Sequence, residues 1–390
     1  MDRQQTGIVS FFTRTRTTEV KEKAWRVGEV SGRRHIPRNA NIEALRIVSI
    51  CMVTLLHALG KGGLLVDIAQ TPSVNGWIAW GLESLAIPAV NVFMLISGYF
   101  LAFSSFKPFR LVELVFQIMF YAIGAHFVCQ WLGIVPAHDE TLNEIAQWLC
   151  PIHTNVYWFM NVYLCIYLLL PLFASEIRSV GQKQYVLIIL LLLLLDCIPK
   201  SVAPIRLFDA RGYSFLWCFT MFLIGGYLRR FGFGKLNSPL KGLLLYIVAS
   251  VFILGETTAL QYFNFHKGLF TQIRRISMDY NHVFVLMSSL GLFGAVIHLR
   301  PMRSRLAKIV CSISPMVLGV YLVQENLTLR HEWQQWFGLP WALNDSVCKM
   351  VLKLLLATAG VFVAGIAIDY CRIGLFGLVK RIAFSQHGSN

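Results

Sequence analysis

Arg46 and His57 are the pair whose residue types and spacing most plainly suggest chemistry. They stand eleven positions apart in an apolar run. At about 100° per residue, eleven residues come back to within about 20° of the starting direction, so a helix carries both side chains on one face. The rise between them is about 16 Å. A guanidinium is a permanent cation whose planar fork suits a phosphate or a carboxylate. An imidazole can take a proton from a hydroxyl near neutral pH. The structural alternative is an interfacial arginine and a satisfied core histidine.

The element that holds this pair belongs to a chain that is poorly suited to water. Of 390 residues, 56% are hydrophobic and 14% charged, against about 25% charged in soluble domains. Ten apolar segments, at 44–61, 78–103, 110–134, 155–175, 184–203, 213–229, 242–262, 280–299, 307–324 and 350–371, have lengths that fit helices crossing a bilayer. The expected fold is therefore all-α, a polytopic transmembrane bundle of about ten helices. The net charge of +15 comes from 35 Lys and Arg against 20 Asp and Glu. Placing residues 1–40 inside puts 24 of the 35 cations on the inner face, so both termini are expected to be cytoplasmic by the positive-inside bias. No basic stripe interleaved with aromatics points to nucleic acid.

Outside the bundle, residues 1–40 read as a flexible basic tail and 376–390 as a C-terminal cytoplasmic tail, leaving 41–375 as the membrane domain. The basic tail sets topology, or adheres to anionic lipid. The loop 135–154, with His138, Asp139, Glu140 and Glu144 before an amphipathic stretch ending at Trp148, is expected to lie outside, capping the bundle or covering a groove. Cys150 and Cys348 fall in exterior loops where they could pair. The nine cysteines show no CxxC spacing, and no metal site is expected.

Ionisable groups at membrane depth are functional candidates because each costs several kcal/mol unless it is paired or wet. They are Arg46, His57, Glu83, Glu113, His126, Asp196, Glu256, Glu325 and Asp369. Ser97-Gly98 in the second segment permits close helix approach. Lys107-Pro108-Phe109-Arg110 places two cations three residues apart at the start of the next helix, where Pro108 suits the first turn. A helix N-terminus with two cations is a plausible phosphate seat.

Taken together, these residues resemble the acyltransferase-3 family of integral membrane acyltransferases, particularly its bacterial glycan O-acetyltransferase branch. Arg46 and His57 look like the family's arginine, ten residues, histidine motif. Phe93 with Ser97-Gly98-Tyr99 is similar to its second signature. Trp158-Phe159, Tyr163, Tyr167 and Pro171 resemble the fourth-helix pattern, and Tyr280-Asn281 and Gly319-Val320-Tyr321-Leu322-Val323 resemble later blocks. The similarity runs in order from about 41 to 375.

The resemblance implies an enzyme of the bacterial cytoplasmic membrane. It would move an acyl group, usually acetyl from acetyl-CoA, to a hydroxyl of a cell-envelope carbohydrate or lipid-linked sugar, with no permanently bound cofactor. In that scheme His57 is the base, Arg46 orients the donor, and Lys107 and Arg110 meet the phosphates of coenzyme A. Ser97 would line the reaction path. Glu83, Trp158, Asn281, Tyr321, Gln324 and Glu325 would hold the sugar. Gln324 stands where many relatives carry histidine, and an amide hydrogen-bonds a sugar but does not titrate. Competing readings are a transporter or flippase of a lipid-linked sugar or polysaccharide precursor, and a non-catalytic scaffold.

Overall fold

The computed structural model describes residues 39–134, 141–202 and 210–387. Most of the basic tail, and His138, Asp139 and Glu140 of the expected loop, lie outside the described residues. In chain order the helices are α1 (Ala40–Lys61), α2 (Val74–Ala86), α3 (Ala89–Leu101), α4 (Pro108–Trp131), α5 (Leu142–Leu149), α6 (Trp158–Ser179), α7 (Gln182–Asp196) and α8 (Ile198–Val202). They continue with α9 (Phe215–Phe231), α10 (Pro239–Lys267), α11 (Val283–Ile297), α12 (Ser304–Ile313), α13 (Val317–Gln324), α14 (Trp333–Trp336) and α15 (Val347–His387). No strand occurs among the described residues. The protein is an all-α, multi-pass membrane bundle.

Local sequence explains where these helices start and break. Asn39 caps α1 by accepting the Asn41 N–H at 3.1 Å, with Glu43 in the first turn facing the positive end of the helix. Pro108 opens α4, where its missing N–H costs nothing. Pro88 separates α2 from α3, and Pro315 sits in a 3-10 turn, Ser314–Met316, between α12 and α13. Proline removes a ladder hydrogen bond and clashes with the preceding turn, so each pair is one broken span rather than a straight helix.

Among the described residues, eight helical stretches are long and apolar enough to cross a membrane, counting α2 with α3, the turn at Ile276–Met278 with α11, and α12 with α13 as single spans. Of the ten expected segments, two fall short of that length as continuous helices. The segment expected at 184–203 breaks at Cys197 and leaves α7 with 15 residues, and that at 213–229 forms α9 with 17. These lie below and at the edge of the roughly 17–25 residues that span hydrocarbon. α9 is nonetheless deeply buried, from Trp217 to Gly226.

α9 packs on α3 through glycines. A Cβ placed on Gly98 would run into the Phe222 carbonyl, and one on Gly225 would run into that of Leu95. Backbone thus meets backbone, as small residues allow in membranes. Gly98→Leu should force the helices apart, lowering the thermal midpoint of the detergent-solubilised protein by an amount matching overpacking of about 1–3 kcal/mol or more. An unchanged midpoint would show that α3 and α9 can separate without cost.

Three further expectations meet the structure here. The amphipathic stretch before Cys150 folds as α5, with a capping box in which Glu144 Oε2 accepts the Thr141 N–H at 2.8 Å. Trp148 of α5 stacks on His126 with ring centroids 4.3 Å apart. Cys150 and Cys348 are both exposed and are free thiols, so the pairing that sequence allowed is not formed. α15 runs on past residue 375, to His387.

Candidate active site

α1 carries the site. At its Ala40 end, one terminal nitrogen of Arg46 donates to both Glu43 oxygens, at 2.9 and 3.0 Å, one turn back along the helix. Glu43 in turn accepts the Ser314 hydroxyl at 2.5 Å. This carboxylate ties α1 to the proline-containing turn between α12 and α13. The Arg46 guanidinium also lies 5.7 Å from the centre of the Phe100 ring. Geometry of this kind fixes the fork while leaving its remaining N–H groups for an anion.

At the Lys61 end, His57 Nδ1 stands 3.2 Å from Glu325 Oε1. Lys61, one helical turn beyond His57, donates to the same oxygen, and Arg330 lies 3.9 Å from the other. Two fixed cations, Lys61 and Arg330, thus flank the carboxylate that stands beside the imidazole.

Between the two ends lies a cavity of about 270 Å³ whose walls include Arg46, His57, Ser97, Arg110, Trp158 and Tyr321. Arg46 and His57 therefore do share one hollow, as their spacing on a helix requires. Aromatic rings make much of the remaining wall, with Phe93, Phe159, Tyr163 and Tyr280 all exposed to it. Trp158 stacks toward Tyr280 at 6.1 Å, and Tyr213 lies 4.5 Å from Trp158 and 4.9 Å from Tyr280. Flat apolar faces beside hydroxyls suit a ligand that is itself amphipathic.

Several expected residues lie elsewhere. Lys107 is exposed at the N-cap of α4, with its backbone N–H and carbonyl both 3.1 Å from the Tyr167 hydroxyl, and its side chain does not line the cavity. Arg110, three residues on, does. Glu83 is buried outside the lining, with Arg275 as an opposing charge. Asn281 is fully buried and donates to the Asp196 carbonyl and carboxylate at 3.1 Å each, so it anchors the segment carrying Tyr280 rather than facing the cavity. Glu325 sits behind His57. Gln324 is beside the His57 ring and lines a second, smaller cavity with Trp333, Trp336 and Phe337. Ser97 donates to its own helix at Phe93 O, 2.8 Å away, while its surface borders the cavity.

Residues missed at the sequence level fall into two kinds. Lys61 had a readable signal, since it follows His57 by four positions and so shares its face. Gln117 and Ser314 had none, because their arrival at the cavity depends on how α4 and the α12–α13 break pack against α1. Gln117 lines the cavity and donates to Asp369 at 3.0 Å; the same carboxylate also accepts Tyr121 at 2.8 Å and Arg372 at 2.7 Å. Asp369, an unexplained membrane charge in the sequence, is therefore the tie between α4 and α15.

Residues of α1, α3, α4, α6 and α13, with Tyr280 and the turn before α13, line a chamber that has guanidiniums at one end and an imidazole at the other. A family model for an acyltransferase domain matches residues 39–369. The chain belongs to the acyltransferase-3 family, and it is a membrane acyltransferase. No curated protein and no solved structure matches it.

Proposed function

We propose that the protein moves an acyl group, acetyl in the simplest case, from acyl-CoA to a hydroxyl of a cell-envelope carbohydrate or lipid-linked sugar. The observation that carries this reading is the single cavity joining Arg46 and Arg110 to His57 along an aromatic wall. Guanidiniums suit the donor's phosphates by charge and geometry. Trp158 and Tyr280 offer ring faces to a sugar, and the Tyr321 hydroxyl a hydrogen bond. The Arg46 end faces the cytoplasm, where acyl-CoA is made, and both termini lie on that side of a bacterial cytoplasmic membrane.

In the reaction, His57 Nε2 takes the proton of the acceptor hydroxyl as its oxygen attacks the thioester carbonyl. The carbon–oxygen bond forms, the carbon–sulfur bond breaks, and the coenzyme A thiolate leaves and takes up a proton. Nδ1 stands 3.2 Å from Glu325 Oε1, so the carboxylate is placed to stabilise the imidazolium that forms. Lys61 shares that carboxylate and limits how far the imidazole can keep the proton. Glu325→Gln keeps the shape and removes the charge. It should cut kcat by roughly 10²-fold with little change in the KM for acyl-CoA, as misorientation of a base does. A raised KM at unchanged kcat would place Glu325 in donor binding instead.

The test of the function is comparison of envelope carbohydrate with and without the gene, by NMR before and after mild base, which removes O-acyl esters. Loss of base-labile acyl signals, restored by the gene, is the expected result. Unchanged O-acylation with accumulation of a lipid-linked precursor would overturn the reading in favour of a flippase.

A further inference from the structure

Two adjacent arginines close α9, and they are used differently. Arg230 donates to the Ile177, Ser179 and Val180 carbonyls at 3.0, 3.3 and 2.5 Å, satisfying the end of α6. Such groups need a partner at any helix end. Arg229 has no carboxylate or carbonyl partner among the described residues. Its guanidinium lies 4.9 Å from the centre of the Tyr99 ring and 5.9 Å from that of Phe100. Phe100 is the same ring that Arg46 approaches at 5.7 Å. Arg110, the other cation of the cavity wall, lies 5.8 Å from the Tyr167 ring.

Arg46 on α1 and Arg110 on α4 thus line the cavity, and Arg229 on α9, outside that lining, shares the Phe100 ring with Arg46. Among the described residues, Glu43 is the carboxylate ion-paired to any of them, and it is taken by Arg46. Like charges on one side of a bundle repel, an anion between them offsets that repulsion, and aromatic rings do not neutralise charge. Coenzyme A carries a diphosphate and, set apart on its ribose, a separate 3′-phosphate.

We propose that Arg229 is a third anion-binding group of this site and takes the ribose 3′-phosphate of the donor, while Arg46 and Arg110 meet the diphosphate. The proposal rests on the acyl-CoA reading above. It assigns to α9 a share of donor recognition that neither the spacing on α1 nor the pair at Lys107 and Arg110 indicated. Lysine at this position would keep the charge and lose the fork.

Unacylated CoA and dephospho-CoA, which lacks only the 3′-phosphate, are titrated into the full-length protein in nanodiscs, so that binding is read without turnover. The wild type should prefer CoA by roughly tenfold or more, the worth of a charge-assisted contact. Arg229→Gln should lose that preference while binding dephospho-CoA as the wild type does, and Arg229→Lys should keep part of it. Equal binding of the two ligands by the wild type overturns the proposal even if no variant can be made. A preserved preference in Arg229→Gln overturns it as well, leaving Arg229 a topology-setting charge. A wild type that binds neither ligand overturns the acyl-CoA reading, and this proposal with it.

Discussion

His57→Ala is expected to lower acyl transfer by roughly 10²- to 10⁴-fold, the usual worth of a positioned general base, with the protein still inserted and folded. Among the described residues lining the cavity, His57 is the side chain whose type exchanges protons near neutral pH; the others are arginines, tyrosines, one glutamine, two serines and apolar groups. Its removal enlarges an existing hollow rather than opening a void in packed core, so the stability cost is small. It also frees Glu325, but Lys61 and Arg330 remain to neutralise that carboxylate. Transfer of a radiolabelled acyl group to the envelope fraction measures the rate, and a thermal scan of the purified variant checks the fold. A rate within a fewfold of wild type would remove the imidazole from the mechanism.

Asp369→Leu should instead act on the fold. The wild-type carboxylate is fully buried and accepts Gln117, Tyr121 and Arg372 at once. Leucine matches its volume approximately but leaves the Arg372 charge, a tyrosine hydroxyl and a glutamine amide facing nothing. Breaking one side of a buried charge pair costs about 3–5 kcal/mol. The variant should show a markedly lower thermal midpoint in detergent, poor yield and increased proteolysis. The combined change of Asp369→Leu with Arg372→Leu should recover much of the loss, because removing both charges leaves no orphan. If the single variant were as stable as wild type, the tie between α4 and α15 would have to lie elsewhere.

How much was legible beforehand depends on how local each signal is. Arg46 and His57 could be placed on one face because helical rotation depends on spacing alone. The membrane class followed from composition, since scarcity of charge is a property of the whole chain. The number of spans was less legible. Hydropathy does not register that α7 stops at Cys197 or that α9 is short, buried and wedged against α3 by glycine. Asn281 illustrates the limit from the other side: an amide beside Tyr280 reads as a sugar ligand until Asp196, distant in sequence, is seen to occupy it. Lys107 and Arg110 likewise look equivalent in sequence, yet the first turn of α4 directs only one of them to the cavity.

The cavity also bears on the membrane as an insulator. A hollow reaching from Arg46 to His57 occupies about 16 Å of helix rise in a hydrocarbon layer about 30 Å thick, so the barrier between the two compartments is locally about half as deep. A thinned dielectric favours ion leak. Beyond His57 stand Lys61, Glu325 and Arg330, a charge set of both signs. The same cluster that backs His57 thus sets fixed charge of both signs beside the thinned part of the barrier.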